Sequence, residues 1–559
     1  MGRASASDGP SSCGAGRPSI TGASNGSAPR RATPKGARPG SRPSVIGGSH
    51  ATLHGVVLRG TRPPGARRAG GAAGAGRASF PRVNTLPSRG LPRPLLAVLA
   101  ASFAFSLFLA LAFPLLDPDE GRNAEVAREM AVNGDVVIPH LAGLPYLDKP
   151  PALFAAAAAC IRVLGPTPLA ARLPAMLAAL AVLLLLARAS RRLEDDAHAT
   201  LTVALTACAP LFAVLAAYVI FDMPLAACVT AVWTLLAVEC ERGPSTRRRA
   251  VMFAAVTLGV LVKGPVMLAW ALGGSVASAL VARSRAPLRW LAWWPGWVIV
   301  FGVAGGWFAF ALRRHPEYAR YAFLEESLER MTSGSFKREQ PWWFVPAVLA
   351  GGALPWSLGT PWKWPRSGGA RVALGFVLFA AVFFSLSRSK LVTYLLPAIP
   401  ALAWVAASAW RAAGRRPGPR AAALALGAIP LAVVVGSPFV LQYAESQSGA
   451  GLARAIRASG GGTVVYERCY SPGTDFLLGR SNPVRSDLGH EITSTYVVRY
   501  RESLRARGLW TLRAETDSVP ADVLVQSHHR PGPAPGAGWT RLYEGPRFTA
   551  WRREGASER

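Results

Sequence analysis

Apolar runs separated by short charged turns occupy most of the chain after residue 93. The first of them, 94–116, has the length of roughly 20 residues that one membrane-spanning helix needs. Further runs cover 169–187, 200–221, 224–238, 251–262, 266–282, 293–312, 341–361, 370–386, 391–410 and 421–442. A shorter apolar stretch, 150–164, is typical of a helix at the membrane interface. The pattern predicts an all-α polytopic membrane protein with about 11–13 transmembrane helices.

Composition supports this class. The 559 residues are 51% hydrophobic and 17% charged, whereas soluble chains carry about 25% charged residues. The net charge of +31 suggests an anionic partner, but basic residues concentrate in the N-terminal tail and in alternate short loops. That distribution is the positive-inside pattern, and it favours membrane topology over nucleic-acid binding. The six cysteines show neither metal-like spacing nor a disulfide framework.

Three regions follow from these patterns. Residues 1–92 are rich in Gly, Ser, Pro, Ala and Arg, and they are predicted to be a disordered basic tail. Residues 93–443 form the transmembrane domain, with a first outer loop at 117–168. Residues 444–559 are predicted to be a small α/β domain, with a helix at 451–459 and strands at 463–466, 521–526, 539–543 and 548–551. The basic loops place the N-terminus in the cytoplasm and the C-terminal domain outside it.

The first outer loop opens with two aspartates and a glutamate. Asp117 as N-cap, Pro118 at the first helical position and Glu120 at the third would form a capping box for the next helix. That interpretation explains Asp117 and Glu120, but it does not require Asp119. A catalytic role for the acids is the alternative.

Other ionisable residues stand where apolar runs end. The Asp148-Lys149 pair precedes the apolar stretch at 150–164, and Asp222 lies between two spans. Helix capping or an interfacial lysine explains each of them alone. The topology, however, places all of them on the outer face together with Lys263 and Lys390. Acids and cations gathered at one membrane face suit the displacement of a phosphate leaving group.

Several motifs occur in an order that resembles a known family. They read DPDEGRNAEVAREM, GDVVIPHLAGLPYLDKPP, ARLPAML, FDMPL, LVKGP, FLEESLERM and SLSRSKLVTYLLPAIPAL. In this order they resemble the GT-C glycosyltransferases that use polyprenyl-phosphate sugars. Within these, the sequence is most similar to the lipid A 4-amino-4-deoxy-L-arabinose transferases and to the dolichyl-phosphate-mannose-protein mannosyltransferases. The resemblance covers about residues 94–410 and, more loosely, the C-terminal domain.

The resemblance implies a GT-C fold, an undecaprenyl-phosphate sugar as donor, and a lipid or protein acceptor. It implies two catalytic acids, Asp119 and Asp222. It also implies a set of substrate-binding residues, some of which would hold the donor phosphate: Glu120, Arg122, Asp148, Lys149, Arg330, Lys390 and Tyr394.

The chain departs from the family at several positions. The family glutamate before the lysine is Asp148, and the tyrosine that often follows the first-loop arginine is Asn123. A Glu-His pair of the family reads Glu325-Glu326 here. In relatives that pair is a possible ligand of a divalent metal, so a metal cofactor stays open. The resemblance implies no other cofactor.

The expected function is therefore that of an inverting glycosyltransferase of the bacterial inner membrane. It would move a sugar from polyprenyl phosphate to an envelope acceptor such as lipid A or protein. Asp119 would act as base toward a hydroxyl acceptor, or would position an acceptor phosphate that is already ionised. A transporter or flippase for lipid-linked sugars is the alternative, although internal repeats and mid-membrane charges, which favour transporters, are not evident.

Overall fold

The computed structural model describes residues 90–322, 325, 339–415 and 419–555. The predicted disordered tail lies outside these residues, apart from its last three positions. The helices before residue 300 are α1 Arg93–Ala112, α2 Asp119–Asn133, α3 Ala152–Leu164, α4 Pro168–Leu193, α5 Asp196–Ala207, α6 Pro210–Leu215, α7 Asp222–Arg242, α8 Thr246–Lys263, α9 Val266–Ala282 and α10 Trp294–Ile299. They are followed by α11 Gly306–Arg314, α12 Phe344–Gly351, α13 Trp356–Gly359, α14 Gly368–Leu386, α15 Ile399–Ala412 and α16 Pro419–Ser446.

Within the described residues, six helical stretches are long and apolar enough to cross a membrane. They are Arg93–Ala112, Pro168–Leu193, Asp222–Arg242, Trp294–Arg314, Gly368–Leu386 and Val392–Ala412. Two shorter apolar helices, Ala152–Leu164 and Val266–Ala282, accompany them. The prediction of an α-helical polytopic membrane protein is confirmed.

Proline residues divide several of the predicted runs. The run 200–221 is two helices, α5 and α6, because Pro210 cannot donate a backbone hydrogen bond and therefore begins a new helix. The run 341–361 is likewise split between α12 and α13, which begins directly after Pro355. A 3₁₀ segment, Val392–Ala398, precedes α15 and contains Pro397.

The turn between α8 and α9 lies where the sequence predicts it. Gly264 ends α8 with φ of 78°, a conformation that favours glycine, and α9 begins immediately after Pro265. The tight turn leaves Lys263 as the last residue of α8.

Helix α2 is not capped as predicted. Its N-cap residue is Pro118, and no side chain caps the helix. The Asp117 carboxylate instead accepts hydrogen bonds from Ser471 Oγ at 3.0 Å and from the Gly473 backbone N–H at 3.2 Å. The capping interpretation of Asp117 is therefore wrong, because the carboxylate is drawn into a buried contact with the C-terminal region.

A glycine permits that contact. A Cβ on Gly121 of α2 would lie 1.8 Å from Asp117 Oδ1 and 2.8 Å from the Gly473 nitrogen. Glycine therefore lets the first turn of α2 approach the helix Pro472–Leu478 closely, and a larger residue would force the two apart.

The C-terminal region contains a mixed five-stranded sheet within the described residues. A short hairpin, β1 His140–Leu141 and β2 Leu144–Pro145, lies in the first loop. The larger sheet has the order β4-β3-β5-β7-β6, with β3 Val464–Glu467, β4 Val484–Arg485, β5 Val523–Ser527, β6 Trp539–Glu544 and β7 Phe548–Arg553. Strand β3 is parallel to β4 and β5, and the β6–β7 hairpin is antiparallel.

Helices α17 Ala450–Ala458, α18 Pro472–Leu478, α19 Thr495–Arg499 and α20 Arg501–Ala506 complete this region. The predicted helix at 451–459 and the terminal hairpin are present. Strand β4 and helices α18 to α20 were not predicted, since each is only two to seven residues long and too short for a hydrophobic period to show.

Candidate active site

A cavity of about 290 Å³ opens where several helices end. Its wall comes from the α8–α9 turn, from the ends of α11 and α14, and from the loop before α3. It therefore collects residues that are far apart in the sequence, from Leu147 to Tyr394.

The polar side of the cavity carries two lysines. Lys149 and Lys263 both line it, together with Asp148 and Tyr394. Lys263 Nζ lies 2.5 Å from Asp222 Oδ1 and 4.7 Å from the centre of the Tyr394 ring. Asp222 and the aromatic ring thus hold the Lys263 ammonium at the cavity wall.

Asp148 is fixed from two directions. The Tyr321 hydroxyl and the Tyr496 backbone N–H, at 3.2 Å, both donate to Asp148 Oδ1. Asp148 Oδ2 is buried and has no hydrogen-bond partner among the described residues. A buried acceptor of this kind is costly unless a ligand supplies a donor. The carboxylate is therefore oriented to bind a polar group in the cavity.

The remainder of the wall is apolar. Trp270, Phe308, Phe383, Phe384 and Leu225 contribute to it. Trp270 packs against Phe384 with ring centres 5.9 Å apart. A cavity with cations at one side and aromatic rings at the other suits an amphiphile with an anionic head and a hydrocarbon chain.

Asp119 and Arg122 form a second polar group beside this cavity. Arg122 donates to Asp119 Oδ1 at 2.7 Å and to Thr493 Oγ1 at 3.1 Å. Asp119 is 61% exposed, so it is available to a molecule that arrives from the aqueous side. Burial lowers the pKa of Arg122, but Tyr146, Asp119 and Asp148 outweigh it and hold that pKa above its ordinary value.

Glu120 faces away from the cavity. Its side chain is fully buried and forms a bidentate pair with Arg172, at 2.9 Å and 2.7 Å. It also accepts from the backbone N–H groups of Leu116 and Val219. Arg172 additionally donates to three backbone carbonyls after α1 and at its end. The pair therefore fixes the first loop to α4, a role for Arg172 that the local sequence pattern does not predict.

One further predicted phosphate ligand, Lys390, does not line this cavity. Lys390 is buried, and its Nζ donates to the Gln340 carbonyl at 3.0 Å. Among the described residues, its neighbour Ser389 lines the cavity and Lys390 does not. Arg330 lies outside the described residues, as does Glu326. Within the described residues, no three His, Cys, Asp or Glu side chains are grouped to hold a metal ion.

The structure brings together Asp148, Lys149 and Tyr394 from the predicted set, and it places Asp222 directly behind Lys263. Lys263 is an outer-face cation in the predicted topology, but it is not one of the predicted site residues. Tyr321 and Tyr496 were missed altogether. Their contacts with Asp148 join positions 173 and 348 residues apart, and no local pattern records such a contact.

These helices, the large first loop and the C-terminal sheet define a multi-span membrane protein with the GT-C fold. A solved structure shows the same fold: ArnT from Cupriavidus metallidurans, bound to undecaprenyl phosphate, aligns with a TM-score of 0.68 at 22% identity. The alignment covers 82% of this chain and 98% of that one. The apo structure of the same protein aligns with a TM-score of 0.64.

Sequence comparisons agree with the fold. The family described as dolichyl-phosphate-mannose-protein mannosyltransferase matches residues 148–305. An undecaprenyl phosphate-alpha-4-amino-4-deoxy-L-arabinose arabinosyl transferase from Pseudomonas fluorescens is 30% identical over 325 residues, which are 55% of this chain and 54% of that protein. Its namesake from Pseudomonas aeruginosa is 31% identical, over 54% of this chain and 57% of that protein. The chain thus spans about half the length of these relatives, and the resemblance to GT-C glycosyltransferases of these two types is confirmed.

Proposed function

We propose that this protein is an inverting glycosyltransferase that takes a sugar from a polyprenyl phosphate donor, most simply undecaprenyl phosphate. The observation that carries the proposal is the cavity in which Lys149 and Lys263 face an aromatic wall. The named activity of the relatives supports it, as does the undecaprenyl phosphate bound to the structural neighbour.

The donor fits the cavity by charge and polarity. Its phosphate would lie between Lys149 and Lys263, with Tyr394 beside it and the isoprenoid chain along Trp270 and Phe384. The linking phosphodiester carries one negative charge, and the departing polyprenyl phosphate gains a second. The two ammonium groups stabilise the departing phosphate more than the ground state, which is the requirement for faster reaction.

The acceptor would enter from the side of Asp119. An acceptor oxygen attacks the anomeric carbon, and a new carbon–oxygen bond forms as the bond to the phosphate oxygen breaks. The leaving electron pair stays on the phosphate. With a hydroxyl acceptor, Asp119 takes the proton; with a phosphate acceptor, which is already ionised, Asp119 and Arg122 position the nucleophile. Attack from the face opposite the phosphate inverts the anomeric centre.

The acceptor that we propose is an envelope component such as lipid A or protein, reached at the outer face of the inner membrane. The basic loops support a cytoplasmic N-terminus and an extracytoplasmic location for residues 444–559. With them we keep the division into a transmembrane domain at 93–443, which includes the first outer loop at 117–168, and a C-terminal domain. Asp222 acts in this scheme through Lys263, and Arg330 stays a predicted phosphate ligand.

Transfer of radiolabelled sugar from a polyprenyl phosphate donor, by the purified full chain in detergent, tests the proposal. We expect Asp119→Asn to be inserted correctly but to lose at least about a hundredfold in transfer rate, the usual contribution of an acid–base group. Lys149→Ala should raise the KM for the donor. Arg247→Ala serves as the matched control, because it removes an exposed cation at the start of α8, whereas Lys263 of the cavity is the last residue of that helix.

Two results would reject the assignment. An Asp119→Asn protein with the full transfer rate would remove that residue from the mechanism. Donor movement across proteoliposome membranes without any sugar transfer would instead identify a transporter.

A further inference from the structure

A second set of cavities lies at the other end of the helix bundle. We call the cavity lined by Lys149 and Lys263 the donor cavity. Helix α7 begins at Asp222, beside the donor cavity, and its 21 residues span roughly 30 Å at about 1.5 Å per residue. Near its far end Glu241 accepts from the Gly369 backbone N–H at 3.2 Å. Ser367, two residues before that glycine, lines a cavity of about 210 Å³. We call this cavity the head pocket, and it faces the membrane surface opposite the donor cavity.

The head pocket has a mixed charge. Lys363, Arg366 and Arg411 line it, together with Glu194. Arg411 forms an ion pair with Asp195, whereas the structure gives Lys363 and Arg366 no acidic partner among the described residues. Two exposed cations therefore remain to bind an anion.

Glu194 requires that a ligand of the head pocket also supply a hydrogen-bond donor. Its Oε1 atom is buried and has no hydrogen-bond partner among the described residues. A buried carboxylate oxygen needs a donor, and an anionic ligand alone supplies none. The ligand that satisfies the whole pocket thus carries a negative group for Lys363 and Arg366 and an N–H donor for Glu194.

An apolar groove continues from the head pocket. It has a volume of about 570 Å³ and shares Lys363, Trp364, Pro365 and Val405 with the pocket. Its walls include Leu349 of α12, Leu374 and Leu378 of α14, and Leu402 of α15. We call it the tail groove. Trp362 and Trp364, 50% and 64% exposed, stand at its mouth, as tryptophans do at membrane–water interfaces.

We propose that the head pocket and the tail groove together bind one phospholipid whose head carries both a phosphate and a primary ammonium group, as in phosphatidylethanolamine. The phosphate contacts Lys363 and Arg366, the ammonium donates to Glu194 Oε1, and one acyl chain lies in the tail groove. A lipid tail gains little by leaving other tails for an apolar groove, so the selectivity resides in the head. Basic pockets between membrane helices are established binding sites for lipid head groups.

Native mass spectrometry of the delipidated full chain in detergent tests the proposal with three dioleoyl lipids. We expect phosphatidylethanolamine to bind about tenfold more tightly than phosphatidylcholine, whose trimethylated nitrogen cannot donate to Glu194. Phosphatidylglycerol should also bind more weakly than phosphatidylethanolamine, since it lacks the ammonium and adds net negative charge beside Glu194. Equal binding of phosphatidylethanolamine and phosphatidylcholine, or tighter binding of phosphatidylglycerol, would overturn the proposal without any variant.

Variants then assign the contacts. Glu194→Gln should bring the affinities for phosphatidylethanolamine and phosphatidylcholine to within about twofold of each other, and Arg366→Ala should weaken both by about tenfold. Arg188→Ala, an exposed arginine near the end of α4 that does not line the pocket, should change neither affinity. A Glu194→Gln protein that keeps the tenfold preference would show that the ammonium group lies elsewhere, and the proposal would fail.

Discussion

Lys263→Met tests whether Lys263 stabilises the folded protein, binds the donor phosphate, or does both. The lysine side chain is 12% exposed and its partner Asp222 is 8% exposed. Removing one partner of a buried pair leaves the other charge uncompensated and costs about 3–5 kcal/mol. Because both side chains retain some exposure, we take the lower value, about 3 kcal/mol, as the expected loss in the free energy of unfolding. With an unfolding entropy of about 2.1 cal/mol/K per residue, that loss lowers the apparent Tm of a chain of this size by about 3 °C.

The double variant Asp222→Asn/Lys263→Met distinguishes the two roles. With neither charge present, no buried ion is left unpaired, so the Tm should return to within about 1 °C of the unmodified protein. Donor affinity should not return, since the ammonium group that faces the cavity is still missing. We therefore expect both variants to bind the donor about tenfold more weakly, a loss typical of one charge-assisted contact.

The assays are thermal unfolding in detergent and binding of a fluorescent polyprenyl phosphate. A single variant that melts at the unmodified temperature would contradict the buried pair. A double variant that regains both Tm and donor affinity would show that Lys263 has a structural role only, and the phosphate would then need other ligands. Asp222→Asn alone completes the thermodynamic cycle.

Four other substitutions test contacts around the first loop. Burial raises the pKa of Asp117 from 3.8 to about 6. The contribution of Asp117 to the free energy of unfolding is therefore fully present below about pH 4, and about 3 kcal/mol of it is lost as the pH rises through 6. Asp117→Asn should remove this loss from the pH profile of the free energy of unfolding. Tyr321→Phe removes a hydrogen bond to Asp148 and should raise the KM for the sugar donor about tenfold. Tyr496→Phe should leave that KM nearly unchanged, because Tyr496 contacts Asp148 through its backbone N–H. Equal effects of the two substitutions would contradict the geometry. Arg172→Met should reduce the folded yield sharply, since it leaves a fully buried carboxylate unpaired at a cost of about 3–5 kcal/mol, and a normal Tm would show that this pair contributes little.

The sequence was sufficient for the features that depend on local pattern. The long apolar runs, the turn at Gly264 and the terminal β-hairpin all follow from hydrophobic length and from residues with fixed backbone preferences. Proline removes a helical hydrogen bond and favours a break, as at Pro210 and Pro355. Pro174, however, lies inside α4 without ending it, so proline alone does not decide where a helix breaks. The runs 200–221 and 341–361 stay apolar on both sides of Pro210 and Pro355, so hydrophobicity alone does not show where the helices break.

The roles of Asp117 and Glu120 could not be predicted from local sequence pattern. Asp117 and Glu120 have the spacing of a capping box, yet each is bound by a distant partner, Ser471 or Arg172. Glu120 pairs with a guanidinium, which is a stronger donor than a backbone N–H. Asp117 accepts from a hydroxyl and a backbone N–H that tertiary packing brings to it. Local spacing identified Asp119 as the acid that helix capping does not explain, and the structure leaves that acid exposed.

The C-terminal region is part of the site geometry, although it contains no recognisable catalytic motif. Tyr496, in helix α19, donates its backbone N–H to Asp148 and its hydroxyl to Glu317 at 2.6 Å. Thr493 accepts from Arg122, which holds Asp119. Both polar groups beside the cavity are thus fixed by the same short segment before and within α19. Loss of this segment would release Asp148 and Arg122 together, so in the proposed mechanism the region around residue 495 would set the separation between the donor phosphate and the incoming acceptor.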